Sequence, residues 1–229
     1  MIGWSELDRV LRGDSTPIAL PPLLWINILL AGFYGVCIGV FGLFRPDGTE
    51  WRQMIAAAVK VPALFGLTLA VTFPSLYVFN TLLGSRLRIA DLARLVVQGL
   101  SVMCAVLAAF GPITAFFSVT TSIYPFILLL NVAVFGLAGL LGLGFLEKLS
   151  RRFLVNDGAA GEAGGGLSRK LFTIWMGMTS LVAAQMGWVL RPFVGSPDLP
   201  FAWFRDRDGS FFHGVARSLQ MLLFETVAR

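Results

Sequence analysis

The hydrophobic positions of this chain fall into long blocks: Ser15 to Phe44, Val61 to Ser85, Leu95 to Leu146 and Leu171 to Leu190 contain no Asp, Glu, Lys, Arg or His. A helix of roughly 20 such residues crosses the hydrocarbon core of a bilayer. The third block is long enough for two crossings, with Ser118 to Pro125 as the break between them. The pattern therefore predicts an all-α, polytopic helical membrane protein with about five transmembrane helices, near 23–44, 61–83, 95–117, 124–145 and 171–190. Backbone amides in lipid pair internally, and runs of this length suit helices rather than the short alternating strands of a membrane barrel.

Between and beyond the blocks the periodicity becomes amphipathic. Trp4, Leu7, Val10 and Leu11 recur at helical spacing among Glu6, Asp8, Arg9 and Arg12, which predicts a surface helix over 3–12. Trp51, Met54, Ile55, Ala58 and Val59 predict a second interfacial helix leading into the span that begins at Val61. Residues 156–166 are mostly Gly and Ala and read as a flexible linker. The aromatic tail, 191–229, is expected to fold back on the membrane surface, with a last amphipathic helix from Ser210.

Inside the spans, small residues and prolines carry most of the information. Ala31, Gly35 and Gly39 on one helix, and Gly136, Gly139 and Gly142 on another, offer faces that a neighbouring helix can approach closely. Pro74 removes a backbone hydrogen bond and predicts a kink, unless Thr72, Ser75 or a neighbour satisfies the freed carbonyl. Gly111 and Pro112 are expected to weaken the far end of the third span.

Composition agrees with a bilayer setting: 56% of the 229 residues are hydrophobic and 14% charged, with a mean hydropathy of +0.78. The formal charge of +5 does not point to nucleic acid, because Lys and Arg are scattered along the connections rather than gathered in a stripe. With five spans, one side holds ten basic residues (amino terminus, 86–94 and 148–170). The opposite short loops hold three and the tail five. An excess of cytoplasmic Lys and Arg predicts an amino terminus in the cytoplasm and a carboxy terminus outside, in a cell inner (plasma) membrane. No cleavable leader is expected, so the first span stays as an anchor.

Parts for catalysis are scarce. His213 is the single histidine, and no H-E-x-x-H, C-x-x-C or G-x-S-x-G string occurs. Cys37 and Cys104 lie in different spans and read as small core residues. The Gly142-Leu143-Gly144 string lacks the third glycine of a dinucleotide loop, and Asp206, Asp208 and Gly209 lack the other ligands of a calcium loop. No catalytic residue, cofactor or metal is therefore expected. Asn27, Asn80, Gln98, Asn131 and Gln185 read as interhelical hydrogen-bonding groups, and Lys60 as a snorkelling lysine at the start of a span. The candidate polar or pore site is the hydroxyl cluster Ser118, Thr120, Thr121 and Ser122, set against the plainer reading of a hairpin whose hydroxyls cap helix ends.

Val61-Pro62-Ala63-Leu64-Phe65, Pro74 to Asn80, and Trp188 to Pro197 resemble a group of small bacterial polytopic membrane proteins of uncharacterised role. The layout of a cytoplasmic amino terminus and five spans is similar to the Yip1-like architecture, whose eukaryotic members act in membrane traffic and shaping. That resemblance implies a non-catalytic role and transfers no functional residue. The expectation is a non-enzymatic membrane scaffold or accessory subunit, surrounded by the lipid bilayer and by copies of itself or other membrane subunits. The alternative is a homo-oligomeric channel or passive transporter; a lipid-modifying enzyme ranks third for want of positioned titratable groups.

Overall fold

The computed structural model describes residues 2–13, 18–43, 51–82, 88–121, 123–156, 162–195, 201–204 and 209–227, and among them every regular element is helical. The helices are α1 (Ile2–Arg12), α2 (Leu20–Gly39, extended by a 3-10 turn, Val40–Gly42), α3 (Trp51–Leu82), α4 (Ile89–Thr120), α5 (Tyr124–Asn156), α6 (Glu162–Val189) and α7 (Phe211–Val227). Four described helices are long and apolar enough to cross a membrane: Leu20–Gly42, Trp51–Phe79, Ile89–Thr120 and Tyr124–Arg151. The chain is a multi-pass helical membrane protein. The fifth expected span, 171–190, lies in α6, which falls outside those four; Thr173, Thr179, Ser180 and Gln185 dilute its apolar character.

Several boundaries differ from the sequence expectation, each for a physical reason. Pro21 and Pro22 occupy the first turn of α2 rather than preceding it, since amides there have no intrahelical acceptor to lose. The interfacial helix expected before Val61 is continuous with the second span: α3 runs from Trp51 through Pro62 and Pro74 to Leu82. Ser75 donates its hydroxyl to the carbonyl of Thr72, as does the indole N–H of Trp175. α4 likewise passes through Gly111 and Pro112 to Thr120. α5 continues beyond residue 145 to Asn156, with an Arg151–Glu147 ion pair of 2.6 Å on its last turns. Residues 162–166, read as linker, are the first turns of α6, and 157–161 lie outside the described residues.

α2 is the hub. It lies against α3 along one flank and α4 along the other, so these two sequence neighbours barely touch. α5 covers the far side of α4, and α6 covers α3. α6 runs antiparallel to α3, because Trp175 meets Thr72 while Pro192 meets Gln53 and Lys60. The principal core joins Tyr34 and Ile38 of α2, Val61 and Leu64 of α3, Leu107 of α4, Ile127 and Val134 of α5, and Leu190 and Val194 beyond α6. The start of the tail is therefore core, not membrane surface. α7 then packs on α5 and α6, with Trp188 Nε1 donating 3.1 Å to the Gly209 carbonyl.

α1 buries Leu7 and Val10 with Leu23 and Ile26 of α2 and Val97 of α4, and leaves Trp4 and Leu11 exposed. Its polar side is laced by Glu6–Arg9 and Asp8–Arg12 pairs. Exposed tryptophans stand at the starts of two successive spans: Trp4 and Trp25 where α2 begins, and Trp51 where α3 begins. Tryptophan favours the boundary between acyl chains and headgroups.

Candidate functional site

Two kinds of site residue emerge: glycines at helix crossings, and polar side chains that tie helices together inside the bundle. Gly35 and Gly39 are buried where α2 crosses α3. A methyl group on Gly35 would overlap the backbone of Ala57 and Ala58, and one on Gly39 the backbone of Met54. Ala31 is buried on the same face. On α5, Gly142 meets Met103 and the Gly99 carbonyl of α4, whereas Gly139 only grazes Met103 at 4.0 Å. Gly136 and Gly144 have open space in front of them. They share the outward surface of α5 with Leu137, Leu140 and Leu141; Leu140 is 73% exposed.

The hydroxyl cluster does not assemble as a ring within the protomer. Ser118 is buried on α4, and its hydroxyl has no partner among the described residues. Thr120 points outward and donates back to the Phe116 carbonyl at 2.9 Å. Thr121 closes the helix, its amide bonded to the Phe117 carbonyl, and Ser122 lies outside the described residues. Pro74 and Pro112 sit within unbroken helices.

The stronger polar features were only partly visible in the sequence. Asn27 donates to Ser101 at 2.9 Å, linking α2 to α4, and Ser101 donates back to Val97. The Tyr34 hydroxyl donates 3.0 Å to Asn131 Oδ1, linking α2 to α5, while Asn131 Nδ2 donates to the Ile127 carbonyl. Thr114 of α4 is fully buried beside this pair. Asn27 and Asn131 thus act as interhelical groups, as their place in the spans predicts. Tyr34 gave a weaker signal: a phenol in an apolar helix has to find a partner for its hydroxyl. Tyr34→Phe is expected to lower the melting temperature of the detergent-solubilised protein by the equivalent of about 1 kcal/mol, with the helix content by circular dichroism unchanged.

Lys60 does not snorkel. It is 3% exposed, ten residues into α3 counted from Trp51, and its Nζ donates 2.9 Å to the Pro192 carbonyl. Gln53 Nε2 donates to the carbonyls of Pro192 and Phe193, at 3.1 and 2.9 Å. The Phe204 ring lies 5.4 Å from the ammonium and Arg191 stacks 3.8 Å over Trp188. The chain just after α6 thus presents the carbonyls of Pro192 and Phe193 as acceptors to α3. Chemically this is a latch, holding the chain after α6 to the start of α3. Among the described residues no group of three or more His, Cys, Asp or Glu side chains is placed to hold a metal.

No protein-family model matches the chain, and neither the curated proteins nor the solved structures contain a match.

Proposed function

We propose that the protein is a non-enzymatic membrane scaffold or accessory subunit that receives a partner helix, from another copy or a second membrane protein, along the outward face of α5. The observation behind this reading is how the small residues divide. Gly35, Gly39 and Gly142 are consumed by contacts inside the bundle, while Gly136 and Gly144 flank the exposed Leu140 with nothing in front of them. Helices in lipid associate through close approach at small residues, because hydrophobic burial alone gives them little reason to meet. With α6 as a fifth crossing beside α3, the amino terminus, α1 and the basic connections share the cytoplasmic side, and α7 lies outside. A cytoplasmic amino terminus followed by five spans is also the layout that is similar to the Yip1-like architecture.

The test uses single cysteines in a protein whose Cys37 and Cys104 are replaced by alanine. Leu140→Cys in native membranes is expected to cross-link with a short bis-maleimide into a defined higher-mass species. Ile28→Cys, on the exposed face of α2, serves as the control. Equal cross-linking at both positions, or none at Leu140→Cys, overturns the proposal.

A further inference from the structure

Because α2 stands between them, α3 and α4 leave a cleft of about 290 Å³, lined by Gly66, Leu69, Ala70 and Phe73 of α3 and by Ala93, Val96 and Val97 of α4. Its lining is apolar. Gly66 and Ala70 are exposed, so the cleft opens sideways, from two helices that are each long and apolar enough to span the membrane. What meets that opening in a bilayer is hydrocarbon. An acyl chain is the hydrocarbon that a bilayer supplies.

The charge at one end selects among lipids. The cleft runs toward the start of α4, where Arg88 is exposed and caps the helix without a side-chain hydrogen bond. Arg94, next to the lining residue Ala93, pairs with Asp91 at 3.0 Å. Its Nε is sheltered and has no hydrogen-bond partner among the described residues. Side chains on a helix lean toward its amino terminus, so Arg94 leans toward the end that Arg88 occupies. Two arginines against one aspartate leave a positive charge there, and the first amides of α4 add the positive end of the helix dipole.

We propose that this cleft binds one acyl chain of an anionic phospholipid, whose phosphate is held at the start of α4 by Arg88 and Arg94. A zwitterionic lipid satisfies the apolar cleft but gains less from the arginines. The site is separate from the outward face of α5 and depends only on α3 and α4 lying in the bilayer.

The experiment uses the full chain in nanodiscs of phosphatidylcholine. Each sample is doped with phosphatidylglycerol or phosphatidylcholine carrying a photoactivatable group midway along one acyl chain, and labelled peptides are mapped by mass spectrometry. A basic residue near the headgroups contributes about 1 kcal/mol, so phosphatidylglycerol is expected to label the cleft peptides of α3 and α4 about fivefold more than phosphatidylcholine. Arg88→Gln with Arg94→Gln is expected to bring the two lipids level. Gly66→Leu, whose added side chain enters open space, is expected to cut labelling by both lipids at the cleft without changing it on α5. Ala70→Leu is a second plug that does the same from the next turn. Equal labelling by the two lipids in the unmodified protein, or labelling unaltered by both plugs, overturns the proposal.

Discussion

Gly35→Leu is expected to abolish the monodisperse folded protein, while Gly136→Leu and Gly144→Leu leave its stability within about 0.5 kcal/mol of the parent. All three add the same side chain to a glycine in an apolar helix. What separates them is the space in front: backbone of Ala57 and Ala58 at Gly35, nothing within 4 Å at Gly136 and Gly144. Backbone cannot rotate aside as a side chain does, so α2 would have to lift off α3 and release the contacts of Ala31, Tyr34 and Ile38 with it. Overpacking a well-filled interior costs about 1–3 kcal/mol or more, and here the displaced element is the hub of the bundle. The check is size-exclusion of the detergent-solubilised protein after a temperature series. A Gly35→Leu protein as heat-stable as its parent would mean that α2 and α3 do not cross at this point.

Lys60→Ala is expected to free the region after α6, with a loss of about 1.5–3 kcal/mol, the range for a hydrogen bond to a charged group. The ammonium is buried, donates to the Pro192 carbonyl and lies beneath Phe204. Removing it leaves that carbonyl to Gln53 alone. Gln53→Ala removes the other donor to the same bend, so the two changes are coupled and their effects do not add. Limited proteolysis reads the outcome: cleavage between α6 and α7 is expected to accelerate in either variant, and most in the double variant, while α4 stays protected. Unchanged cleavage in the double variant would show that the latch does not hold the tail.

What the sequence reveals of this protein is governed by the range of the interactions involved. Long stretches without titratable groups report burial in lipid directly, so the helices and their membrane placement are legible. The packing role of Gly35 and Gly39 is legible too, since spacing every fourth residue fixes a face. Which face of α5 stays open is not, because Gly136 and Gly142 look alike in sequence and differ only in whether Met103 and Gly99 of α4 stand opposite. Lys60 is misread for the same reason. A lysine at the edge of an apolar block looks like a snorkeller until the chain 132 residues later returns to place the Pro192 carbonyl against it. Pro74 and Pro112 lie inside continuous helices, α3 and α4, as spans drawn straight through them require.

The latch also bears on synthesis. α3 enters the membrane with Gln53 and Lys60 before α6 and the bend at Pro192 have been made, so the donors of the latch are in place before the carbonyls they meet in the folded protein. Only the completed carboxy-terminal half supplies those carbonyls. A chain cut short after α5 therefore presents the donors of the latch without the carbonyls at Pro192 and Phe193 that receive them.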